Sequence, residues 1–148
     1  MRAIVCREWC EPDGLTLADL PSAPLESGQV RLRVHAVGVN FADTLMVAGK
    51  YQVKPEFPFA PGLECAGEIS EIGKGVSGLK VGQRVMAISR FGGAYAEELI
   101  TTPDYIVPIP DDMDFVTAAS FPVVYGTAHF SLTYRGDLKA GETLLVTG

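Results

Sequence analysis

Val30-Arg31-Leu32-Arg33-Val34-His35-Ala36 alternates apolar and polar side chains without a break. A period of two puts Val30, Leu32, Val34 and Ala36 on one face of a β-strand and Arg31, Arg33 and His35 on the other, so the segment predicts a half-buried strand. The alternation accounts for His35 without a catalytic role. Upstream, residues 1–6 and 15–20 are short apolar-rich runs separated by Glu11-Pro12-Asp13-Gly14, whose turn chemistry predicts a hairpin. Downstream, Pro55, Pro58 and Pro61 fix an extended loop. Residues 62–73 then read as a glycine-containing strand, 83–89 and 92–100 as two more, and 105–109 as a proline-bounded one. Short strands at this spacing indicate a mainly β chain with some helix, folded over residues 1–116 as a small, partly closed β-barrel.

The pattern changes after Asp111-Asp112-Met113-Asp114, acidic residues suited to a helix start. Residues 115–134 are mainly helical in pattern, with Pro122 as a kink or a new first turn. Beyond a turn at 139–142, Thr143-Leu144-Leu145-Val146-Thr147 suits a strand buried on both faces of a parallel sheet. No earlier segment offers it a parallel partner. Residues 117–148 are therefore expected to be a connecting helix and the first strand of a truncated second domain.

The 148 residues are 47% hydrophobic and 20% charged, enough for one core and too few for two complete domains. A net charge of -6 with no run of Lys or Arg argues against nucleic acid or an anionic membrane as the main partner. The apolar runs are short and broken by Gly or Pro, and no basic-then-apolar leader opens the chain, so a cytoplasmic location is the expectation. Cys6, Cys10 and Cys65 are odd in number and predict free thiols, Cys65 inert in a buried strand and Cys6 and Cys10 exposed enough to oxidise.

Two readings compete for Val37-Gly38-Val39-Asn40-Phe41-Ala42-Asp43-Thr44-Leu45-Met46-Val47-Ala48-Gly49-Lys50-Tyr51. In one, a strand ends in an Asn cap and a short helix stops at Gly49. In the other, Asn40 (donor and acceptor), Asp43 one helical turn later and Tyr51 after a glycine line a functional cleft. Glu64 lies in an apolar strand and needs a partner, either as a structural hydrogen-bond hub, with Arg84 as a candidate, or within a site; the structural role is favoured. Trp9 and Tyr95 are expected to fill core or interface volume, and His129 to be a packed or surface residue.

Taken together, several stretches resemble the N-terminal half of the medium-chain dehydrogenase/reductase superfamily, and most closely its zinc-independent quinone oxidoreductase (zeta-crystallin-like) branch. They are Gly38-Val39-Asn40-Phe41-Ala42-Asp43-Thr44 with Gly49 and Tyr51, Pro61-Gly62-Leu63-Glu64-Cys65-Ala66-Gly67, Val81-Gly82-Gln83-Arg84-Val85, Gly92-Gly93-Ala94-Tyr95-Ala96-Glu97, and Gly126-Thr127-Ala128 before Gly141-Glu142-Thr143-Leu144-Leu145-Val146. Gln83 stands where relatives usually carry Asp, and Leu45 where several carry Tyr. The resemblance implies a GroES-like catalytic domain followed by the truncated start of a Rossmann domain, NADPH as cofactor, and a homodimer in the full-length protein. It implies a small-molecule electrophile such as a quinone as substrate, with Asn40, Asp43 and Tyr51 catalytic and Asn40, Asp43 and Thr127 binding the cofactor. Zinc-dependent members ligate their catalytic metal through a Cys at the position of Asn40, a His at that of Leu63 and a Cys near Val123, and hold a structural zinc with four closely spaced cysteines. Those ligands are missing from this sequence, which implies a metal-free site. The chain alone is expected to be inactive. Alternatives are an enoyl-thioester or alkenal double-bond reductase with Tyr51 as proton donor, and a non-enzymatic barrel module.

Overall fold

Alternation over residues 30–36 produces an interior strand of the larger sheet in the structure, a computed structural model that describes residues 1–147. Strands β1 (Arg2–Val5) and β2 (Thr16–Asp19) form an antiparallel hairpin whose connection includes a 3-10 turn at Pro12–Gly14. Then come β3 (Val30–Val37), α1 (Phe41–Val47), β4 (Glu64–Ile72), β5 (Arg84–Ile88), β6 (Glu98–Thr101) and β7 (Ile106–Pro108). The five later strands make one antiparallel sheet in the order β6-β3-β4-β5-β7. The hairpin joins it through Ile4 N–H to Tyr95 O at 2.8 Å and through bridges at Ala3–Ala96 and Cys6–Phe59. The barrel is open, as expected: β6 and β7 remain edges of the larger sheet. Pro108 lies on the β7 edge, where a missing N–H breaks no ladder.

Three apolar clusters hold these elements. Val30, Leu32, Cys65, Ile69, Val85 and Leu99 fill the inside of the sheet. Cys6, Met46, Val47, Phe59 and Leu63 pack beneath α1. Ala66 and Ile109 meet Ala118 and Ala119 of α2 (Phe115–Ala119), so β4 is covered on both faces. At Gly67 a Cβ would overlap the Arg33 carbonyl oxygen on β3, so the strands approach there only because the residue has no side chain. On the solvent face Arg31 spans three strands, pairing Glu71 at 3.0 Å on β4 and Glu98 at 2.9 Å on β6.

Asp114 caps α2, and Pro122 opens α3 (Pro122–His129) as a first-turn proline, followed by a π-helical turn at Phe130–Arg135. Among the described residues, no helix is long and apolar enough to cross a membrane.

Several expectations need correction. Residues 143–146, expected to be the first strand of a truncated second domain with no parallel partner here, are irregular and exposed, Leu145 by 83%, with no strand paired to them among the described residues. The strand expected over 92–100 is shortened to β6, since Gly92 (φ 82°) and Gly93 (φ 109°) turn the chain in a way strands do not. Cys6 is wholly buried, and burial with the neighbouring Cys10 pushes its thiol up to about 11, so it does not fit the exposed, oxidisable thiol expected. Cys65 is buried too, its thiol pushed up to about 12 by burial and by Glu64. For Trp9, expected in core or interface volume, 42% exposure removes the core alternative: its ring packs edge-on to Phe57 at 4.5 Å and lies over Gly49, whose φ of 68° ends α1.

Two outcomes follow. Gly67→Ala forces β3 and β4 apart and should lower stability by about 1–3 kcal/mol, read as a lower urea midpoint. Asp114 accepts the N–H and hydroxyl of Thr117, both at 2.8 Å, which holds its carboxyl below the usual range. Its folded pKa is depressed, so its stabilisation is complete above about pH 4 and fades as pH falls through the folded value. Asp114→Asn should therefore flatten the acid limb of Tm against pH, followed by circular dichroism; an unchanged limb would contradict this linkage.

Candidate active site

Asn40 leaves β3 in extended backbone (φ -118°, ψ 152°) and caps α1, so the helix-cap reading of this stretch holds. Its N–H donates to Asp43 Oδ2 at 2.8 Å, the local bond that a carboxylate three residues into a helix can make. Its side-chain Nδ2 turns the other way and donates to Glu64 Oε1 at 2.8 Å. Glu64, 1% exposed, accepts a second bond at Oε2, from the Val123 N–H at 2.8 Å. Val123 is in the first turn of α3, where unpaired N–H groups favour a negative partner. Glu64 is thus a structural hub, but its partner is not Arg84. Arg84 sits opposite Glu68 in the β4–β5 register, four residues from Glu64 and so about 13 Å along the strand. Its guanidinium donates instead to the carbonyls of Pro110, Asp111 and Met113 and lies 4.6 Å from the Phe115 ring. Gly38 makes room for the hub, since a Cβ there would overlap the Glu64 carboxylate.

Asp43 is 3% exposed, and its Oδ2 accepts a further bond from the Tyr95 hydroxyl at 2.9 Å. Burial, then the bond to Asp43, push the Tyr95 phenol well above its ordinary range, so it remains a protonated donor at neutral pH. Oδ1 of Asp43 has no hydrogen-bond partner among the described residues.

A cleft of about 570 Å³ opens between the segment after α1, the end of β5 and α3. Tyr51 and Thr127 both line it, one half-buried and one exposed, although 76 residues separate them. Gln52, Ser89 and Arg90 add polar groups, while Ala42, Leu63 and Val123 form apolar surface. Asn40 belongs to the layer behind: it holds Glu64, whose chain neighbour Leu63 and bonded partner Val123 are cleft residues. Asp43 turns to a different face of α1, where it borders a hollow of about 180 Å³ with Leu15, Val47 and Tyr95. Of the four residues singled out from the sequence, then, Tyr51 and Thr127 share the cleft, Asn40 braces it from behind, and Asp43 faces elsewhere. His129 is exposed, edge-on to Tyr134. Among the described residues, no three His, Cys, Asp or Glu side chains are grouped as metal ligands.

Sequence reasoning missed Arg90, Ser89 and Tyr95 as neighbours of the site. Tyr95 had a signal in hindsight, because a buried Asp43 requires a donor; Arg90 had none beyond its position beside the Gly92-Gly93 turn.

Residues 26–111 match the model of the alcohol dehydrogenase GroES-like domain. The chain is 42% identical to the quinone oxidoreductase-like protein 2 homolog of Nematostella vectensis over 147 residues, covering 99% of this chain and 40% of that protein. It is 39% identical to the quinone oxidoreductase of Lama guanicoe over 149 residues, covering 100% and 45%. Among solved structures, mycobacterial Rv1454c complexed with NADPH superposes with a TM-score of 0.86 at 34% identity, over 96% of this chain and 44% of that one. The chain thus spans less than half the length of these relatives.

Tyr95→Phe removes a donor from a buried carboxylate at little change of shape. It should lower stability by about 1.5–3 kcal/mol in urea denaturation, the usual value of a hydrogen bond to a charged group; a neutral substitution would mean the Tyr95–Asp43 bond does not form.

Proposed function

The chain belongs to the alcohol dehydrogenase GroES-like family, in the quinone oxidoreductase branch of the medium-chain dehydrogenase/reductase superfamily, and from that premise we propose that it is the substrate-side part of a zinc-independent, NADPH-dependent quinone reductase. In this reading residues 1–116 are the catalytic domain, and 117–148 lead into a dinucleotide-binding domain. The observation that carries it is the convergence of Tyr51 and Thr127 on one cleft that apolar Leu63 and Val123 also line.

That lining suits a flat aromatic ring: apolar surface for its face, hydroxyls and an amide for polar groups at its edge. The reduced nicotinamide of NADPH supplies the hydride when bound. Thr127 and the neighbouring α3 surface would hold that ring, and Leu63 and Val123 would keep water from the reacting face. The Tyr51 hydroxyl would donate a hydrogen bond to the acceptor oxygen on which negative charge develops, and would pass it a proton. Asn40 and Asp43 act as positioning residues, through Glu64 and Tyr95, by fixing where α1 and α3 stand. Zinc is disfavoured by the donor set: where zinc-dependent relatives supply Cys, His and Cys, this chain has an amide already bonded to Glu64, a buried Leu63 and an isopropyl group near Val123.

A second reading, reduction of an activated carbon-carbon double bond with Tyr51 as proton donor, is favoured by the placement of Tyr51 within the cleft. The test uses the chain together with its dinucleotide-binding half, following NADPH oxidation with menadione or with an enal. Asn40→Ala should lower kcat with menadione on the order of tenfold to a hundredfold while the fold survives, as misplacement of a cleft wall does. Unchanged kinetics would remove the Asn40–Glu64 network from the function. Tyr51→Phe separates the two chemistries: loss on enals of about a hundredfold, with menadione turnover reduced far less, would favour the second reading.

A further inference from the structure

The charge lining the cleft is unlike that of the chain. The protein carries 18 acidic against 12 basic residues, yet among the described residues the cleft is lined by no Asp or Glu, and Arg90 is the one cation lining it. Arg2, Arg31 and Arg33 each pair with a glutamate, and Arg84 is committed to carbonyl groups. Like Arg7 and Arg135, Arg90 has no carboxylate partner among the described residues, and of these three it alone lines the cleft. Among the described residues its guanidinium reaches the Tyr105 hydroxyl alone, at 3.5 Å, and lies 5.8 Å from the Phe91 ring. An arginine keeps several donors in a planar fork, so most of this one's capacity is unused.

The segment that presents Arg90 is fixed. Ser89 N–H donates to the Leu63 carbonyl at 2.8 Å, the Ser89 hydroxyl closes onto the Gly92 carbonyl, and Arg90 itself forms a bridge with Gly92. Gly92 and Gly93 supply the positive φ that this tight return needs. An exposed cation standing on such a turn, in a cleft also lined by apolar Leu63 and Val123, is arranged to read a molecule with an apolar body and an anionic edge.

We propose that Arg90 is a specificity residue that selects acceptors bearing an acidic substituent, so that the substrate class is an electron-poor ring or enone carrying a carboxylate or sulfonate. The proposal rests on the reductase reading above and adds the charge of the substrate to it. The same fork could meet a phosphate of the cofactor; the experiment distinguishes that source.

With the chain joined to its dinucleotide-binding half, kcat/KM is measured for menadione and for a naphthoquinone sulfonate, with NADPH as donor. The ratio of sulfonate to menadione should fall about tenfold in Arg90→Gln, equivalent to about 1.4 kcal/mol. Arg90→Lys should restore much of the ratio, and added potassium chloride should lower it in the unaltered protein by screening an exposed charge pair. An unchanged ratio overturns the proposal. So does a rise confined to the KM for NADPH, which would assign Arg90 to the cofactor. If neither quinone is reduced by the unaltered protein, the reductase reading fails, and a titration of the sulfonate against that protein and Arg90→Gln still decides: tighter binding to the unaltered protein keeps the anion site, and equal binding removes it.

Discussion

One carboxylate holds the arrangement together. Glu64 is enclosed at the start of β4, and its two oxygens are met by the amide of Asn40 and the backbone N–H of Val123. A buried charge without a cation survives only when hydrogen bonds replace the water it has lost, so both donors are required at once. Because one donor comes from the cap of α1 and the other from the first turn of α3, satisfying Glu64 fixes both helices relative to β4. The cleft inherits its shape from that requirement: Leu63 precedes the hub and Val123 is bonded to it. Gly38 is the steric counterpart, an absence of side chain that lets the carboxylate occupy its place.

Charge is distributed to match. The two buried acids, Glu64 and Asp43, rely on neutral donors, the second on Tyr95 and on the Asn40 N–H. The arginines serve elsewhere. Arg84 gathers three carbonyls of the turn before α2 and covers one side of Phe115, whose ring also stacks on His35 at 4.4 Å. A cation placed on carbonyls and an aromatic face secures a helix without needing an acid in return. Helix α2 is therefore anchored by packing and by its own cap, independently of the hub that positions α3.

What could be read from the sequence was what is local. The alternation in Val30-Arg31-Leu32-Arg33-Val34-His35-Ala36, the Asn40 cap with its glycine stop, the Asp114 cap and the first-turn role of Pro122 all depend on neighbours a few residues away. The partners of Glu64 and Asp43 do not. Glu64 is bonded 24 residues back and 59 ahead, and one of its donors is a main-chain N–H, which every residue but proline has. Tyr95 reaches Asp43 across 52 residues because the fold brings the loop before β6 against α1. The cleft itself was half legible: Tyr51 and Thr127 carried the family resemblance, whereas Arg90 acquires its neighbours only once the turn at Gly92 closes.

The position of Trp9 has an optical consequence. It is the chain's single tryptophan, and its indole sits against Phe57, Phe59 and the glycine that ends α1. Intrinsic indole emission therefore samples one corner of the molecule, the contact between the N-terminal hairpin, α1 and the proline-rich loop. Far-ultraviolet ellipticity, by contrast, sums over the backbone of every helix and strand, α2 and α3 included. A melt recorded by both would resolve whether the α1 corner and the helical segment come apart as one cooperative unit or as two.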